Sequence, residues 1–104
     1  MEQAMSRKRK IVIWDTNARR ASEISRNFGM AMQHTGIHHD LEIMSEPPLV
    51  ARMGLSGRLP VLEVDGMLWN WKIGEGIPEE AAVKLLYLLE ENIEAETGNK
   101  ENGA

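Results

Sequence analysis

No cysteine occurs in this chain of 104 residues, so disulfides, thiolate nucleophiles and zinc–thiolate centres are excluded at the outset. Aromatic residues are scarce, with three Trp, one Tyr and one Phe, which leaves most of any core to aliphatic side chains. No apolar stretch is long enough to span a bilayer, and the N-terminus lacks the charged region and apolar core of a secretory signal. No membrane association is therefore expected, and the cytoplasm is the expected location. An excess of positive charge is missing too. The formal net charge is −4, which argues against a nucleic-acid partner, since such a footprint needs basic residues gathered on one surface. The lone basic run, residues 7 to 10, is short and reads as a solvated lead-in to the first strand.

What is present, 42% hydrophobic and 27% charged residues, suits one globular domain, because a second core could not be built from so little chain. The β-branched run Ile11, Val12, Ile13 predicts a buried strand over 10–14. The period then changes. Ala21, Ile24, Phe28 and Met32 recur at three- and four-residue spacing, predicting a helix over 18–35 that Gly36 stops. Alternation over 40–44 predicts a half-buried strand, which Glu46, Pro47 and Pro48 break, and 49–53 is long enough for a turn or two of helix. Strands over 60–64 and 67–71 are joined by Asp65-Gly66, a pair suited to a two-residue turn with positive φ.

Pro78 and the acidic pair Glu79 and Glu80 open a final helix over 78–93, with Ala82, Leu85, Leu86, Leu89 and Ile93 on its buried stripe. Residues 94–104, EAETGNKENGA, hold no apolar side chain larger than alanine and are expected to form a disordered tail. Residues 1–9 are expected to be a flexible lead, leaving 10–93 as the domain. The element order β-α-β-α-β-β-α predicts an α/β fold with a four-stranded mixed sheet and helices on both faces.

GRLPVLEVDG, residues 57–66, places a proline at the opening of a strand that turns at Asp-Gly. In this it resembles the loop that carries the cis-proline of thioredoxin-like domains. From Lys10 to about Leu89 the chain resembles the small, glutaredoxin-sized members of that family, whose first helix opens with C-P-x-C. The resemblance implies a thioredoxin-like fold and a cis bond at Leu59-Pro60. With Ile24 as the first buried aliphatic residue of the first helix, the two cysteine positions fall on Ala18 and Ala21, and the motif reads A-R-R-A. Alanine supplies neither the attacking nor the resolving thiol, so the family's exchange chemistry does not carry over.

A redox-inactive binding module is the function expected on these grounds, needing no cofactor and taking a peptide or partner protein, an acidic one among the candidates. A thiol–disulfide oxidoreductase is the alternative, should the native gene carry cysteine at positions 18 and 21. The resemblance implies a peptide groove between the first-helix N-terminus, with Trp14, Asp15, Thr16, Asn17, Arg19 and Arg20, and the Leu59-Pro60 edge, where backbone groups would receive an extended strand. Asn17 is placed to cap the helix, with Asp15 and Thr16 as alternatives. Cations in a first turn oppose the helix dipole, so Arg19 and Arg20 form an anion site, lie in solvent or pair with nearby acids such as Glu23.

Other groups read as structural. His34, His38 and His39 cluster at a helix end and a loop without the convergence a metal needs, and are expected to be solvated. The methionines read first as gap-fillers. Trp69 and Trp71 project to one face of the last strand, where they pack under a helix or present a surface to a partner or a second copy of the chain.

Overall fold

The computed structural model describes residues 8–103, with side chains for 8–91. The order is β1 (Lys10–Trp14), α1 (Ala18–Thr35), β2 (Asp40–Met44), α2 (Pro47–Arg52), β3 (Val61–Val64), β4 (Met67–Asn70) and α3 (Glu79–Gly103). The four strands form one mixed sheet in the order β2-β1-β3-β4, with β1 parallel to β2 and antiparallel to β3, and β3 antiparallel to β4. The fold is α/β, as the element order predicted.

Alternation along the strands divides the core in two. Ile11, Ile13, Leu62 and Val64 face Ala21, Ile24, Phe28 and Met32 of α1 and Ala82, Leu85, Leu86 and Leu89 of α3. The opposite face carries Trp14 and Val61, which cluster with Val50 of α2 and with Leu55 and Leu59. Both faces of the sheet are thus covered, as the continuous apolar run of β1 requires.

Local signals account for most boundaries. Asn17 caps α1 by accepting the Arg20 N–H on its side-chain oxygen at 2.9 Å, and Gly36 ends the helix in the left-handed region at φ 76°. Asp65 and Gly66 both have positive φ, 53° and 81°, which is the geometry a two-residue hairpin demands.

Several expectations need correcting. The Pro47-Pro48 pair does not merely break β2. It occupies the first turn of α2, where a missing N–H is harmless, so that helix begins earlier than the predicted 49–53. Pro60 lies just outside β3, since it has no N–H for the ladder, and β4 ends at Asn70, one residue short of Trp71. α3 runs past Ile93 to Gly103, through most of the residues expected to form the tail. Glu, Ala and Lys are good helix formers, and no proline stops them. The side chain of Ile93 lies outside the described ones. Of the flexible lead, residues 1–7 lie outside the described residues, but Arg9 is held in place: its guanidinium donates to Asp65 at 2.8 Å and its N–H to Nδ1 of His39 at 3.0 Å.

Candidate functional site

The register pairs Trp14 with Val61, so the segment that leaves β1 and the Pro60 that precedes β3 meet at one end of the sheet. The Leu59-Pro60 peptide bond there is cis. This end brings together the positions that the sequence singled out.

Burial sorts them into two groups. Trp14 and Leu59 are each only 7% exposed and pack in one apolar cluster under α2, and Pro60 is fully buried. The indole N–H of Trp14 donates to Glu63 at 2.8 Å, so even its polar tip is engaged across the sheet. Thr16, Asn17, Ala18 and Arg19 are exposed. Ala18 is the first residue of α1 and faces solvent, whereas Ala21, one turn on, is buried against the core. The surface available to a ligand is therefore the four residues from Thr16 to Arg19, and the remaining candidates support it from below.

Asp15 is the centre of that support. It is 0% exposed, and its N–H donates to the Met44 carbonyl of β2 at 3.1 Å. Its Oδ1 accepts the Asn17 N–H at 3.0 Å, a side-chain turn that sets the entry angle of the helix. Arg20 closes the arrangement with Nε 2.6 Å from Oδ2 and Nη2 2.8 Å from Oδ1. This fork-to-fork pairing satisfies the buried carboxylate. The hydrogen bond to Asp15 holds the Arg20 guanidinium above its ordinary pKa, against the opposing effect of burial.

Two consequences follow for the expected site. Arg20 pairs with a nearby acid, one of the alternatives expected, but that acid is Asp15 in place of Glu23, which leaves Arg19 as the exposed guanidinium at the helix start. Gly74 donates its N–H to the Leu59 carbonyl at 2.9 Å, so one of the backbone groups expected to receive a peptide is already bonded within the chain. Neither contact was read from the sequence. The Asp two residues before an Asn cap was a usable signal for the first, while nothing local marks the second.

The histidines separate. His34, in the last turn of α1, pairs with Glu79 at the start of α3, and His38 is exposed. His39 is buried rather than solvated: Nδ1 accepts the Arg9 N–H, Nε2 has no partner among the described residues, and burial pushes its pKa below the ordinary value. No group of three or more His, Cys, Asp or Glu that could hold a metal ion occurs among the described residues. No described helix is long and apolar enough to cross a membrane. Met32 is buried, but Met30, Met53 and Met67 are exposed.

Comparison with known proteins found no matching family model, no matching curated protein and no matching solved structure. The functional reading rests on the residues themselves.

Proposed function

We propose that this chain is a thioredoxin-like domain without redox chemistry, acting as a peptide- or protein-binding module through the N-terminus of α1 and the loop that carries Pro60. What supports the reading is the meeting of three features at one end of the sheet: a proline just before β3, the start of α1 after β1, and alanine at both motif positions, Ala18 exposed and Ala21 buried. Exposed motif position and buried motif position fall as an attacking and a resolving thiol would need to, yet neither bears sulfur.

Recognition then falls to shape, hydrogen bonding and charge. Thr16 and Asn17 offer side-chain donors and acceptors, Ala18 leaves room for close approach, and Arg19 adds a positive charge to the positive end of the α1 dipole. An acidic peptide is the ligand class this set favours. The bonded Leu59 carbonyl shifts the weight of recognition from strand addition to side-chain contacts. The cytoplasm and a protein partner remain the setting we assign.

Panning the protein against displayed random peptides tests the reading. Selected peptides are expected to be rich in Asp and Glu, to lose binding with Ala18→Trp or Arg19→Glu, and to keep it with Met30→Glu on the far part of the helix. Selection of no peptide sensitive to the first two substitutions would overturn it.

A further inference from the structure

The two edges of the sheet differ in chemistry. β2 carries Asp40 and Glu42, alternating carboxylates of the kind that keep an edge from pairing with another chain, and Lys10 bridges to Glu42 at 2.9 Å. β4, Met67-Leu68-Trp69-Asn70, has no charged residue and no proline. The backbone groups it leaves unpaired among the described residues can be identified. In a two-residue hairpin the pair next to the turn is hydrogen-bonded, here Val64 with Met67, so Leu68 and Asn70 direct their N–H and C=O groups away from β3.

Beside this edge lies a groove of about 530 Å³ between β4 and α3, lined by Trp69 and Trp71, by Ala81, Lys84 and Leu88 of the helix, and floored by Phe28. Met67 is on the same strand and the same sheet face as Trp69, since their β3 partners Val64 and Leu62 both belong to the helix-covered core. It is 65% exposed and opens the strand, whereas Trp71 follows directly on the strand's other end. A knob and a groove on one strand, on one face and separated along it, are what a two-fold axis needs to make each fill the other.

We propose that β4 is the interface of a homodimer, in which two copies pair antiparallel about an axis at Trp69 and each copy's Met67 enters the groove of its mate. The occupant is a second copy because antiparallel pairing keeps opposed side chains on one face. With Trp69 opposite the partner's Trp69, Met67 stands opposite the partner's Trp71, a sulfur–aromatic contact, and Leu68 stands opposite the partner's Asn70. That last pair aligns the outward N–H and C=O groups found above. The match is isologous, so it closes at two copies.

Sedimentation of the full chain from about 1 to about 200 µM, a range that brackets micromolar association, is expected to show a species of twice 11.7 kDa. Met67→Lys, an exposed position whose change leaves the core intact, should raise the dissociation constant by at least about tenfold by setting a cation against Lys72 and Lys84 of the groove. The double variant Leu68→Cys with Asn70→Cys should give a covalent dimer on oxidation, because opposed residues of a hydrogen-bonded antiparallel pair lie about 5.5 Å apart, within disulfide reach. A monomer throughout the range overturns the proposal, as does a groove that takes an extended apolar peptide while the chain stays monomeric. A dimer that is unmoved by Met67→Lys and does not cross-link through the paired cysteines assigns association to another surface and overturns it equally.

Discussion

Arg20 holds the fully buried carboxylate of Asp15 with two hydrogen bonds, 2.6 and 2.8 Å long, while its own side chain keeps 19% of its surface in water. That asymmetry decides which partner matters more. Removing Arg20 strands a buried charge, whereas removing the Asp15 charge frees a guanidinium that can turn toward solvent. Arg20→Met is expected to cost about 3 kcal/mol of stability and Asp15→Asn only about 1–2, since Asn keeps an acceptor for the Asn17 N–H. Urea denaturation of the two variants checks the order, and an Asp15→Asn loss equal to or larger than that of Arg20→Met would contradict it.

The cap of α1 is a separate contribution. Asn17→Ala should destabilise by about 1 kcal/mol, because the Arg20 N–H loses its acceptor, while Asn17→Asp should be neutral or slightly stabilising through the helix dipole. Thermal melts of both variants at low salt and in about 0.5 M NaCl separate the two effects, since only the dipole contribution is screened.

Without a thiol the chain has no route to disulfide exchange, so dithiothreitol-driven insulin reduction should run at the uncatalysed rate in its presence. The reverse experiment is more informative. Ala18→Cys combined with Ala21→Cys should form an intramolecular disulfide on oxidation, and the position-18 thiol should titrate below the ordinary 8.5. Exposure of Ala18 at the helix start, the dipole and Arg19 all favour a thiolate there, whereas Arg20, held by Asp15, contributes less than its place in the motif implies. Alkylation rate against pH reads the value. A thiol at 18 that behaves as a free cysteine would remove the basis for placing the motif.

His39 ties stability to pH. Burial lowers its folded pKa below the unfolded value near 6.5, so the native state resists a proton that the unfolded chain accepts. Its contribution is complete above pH 6.5 and is lost as pH falls from there through the folded pKa. Protonation would also set a second N–H against the Arg9 N–H that Nδ1 accepts. The difference in unfolding free energy between the wild-type chain and His39→Gln, which retains an acceptor, should therefore shift toward the variant between pH 7.5 and 5.5. A difference that stays constant over that range would show that His39 is not the titrating group.

Much of this molecule is legible in the chain alone. The bounds of β1, α1 and β2 follow from periodicity, the Asn17 cap, the Gly36 stop and the turn at Asp65-Gly66 from local conformational preference, and the lack of thiol–disulfide chemistry from the absence of cysteine. Each of these is a property of a few adjacent residues, which is why sequence carries it. The tertiary structure decided the rest. Trp14 was a surface candidate until Glu63, 49 residues away, took its indole N–H, and Arg9 was a loose lead until Asp65, 56 residues away, took its guanidinium. His39 read as solvated and is buried; Arg20 read as an anion-site cation, a solvated one or the partner of a nearby acid, and packing makes it the counterion of Asp15. A polar side chain's role depends on which partner the sheet order brings within about 3 Å of it, and that choice is made by the packing of distant segments rather than by the side chain's neighbours in the chain.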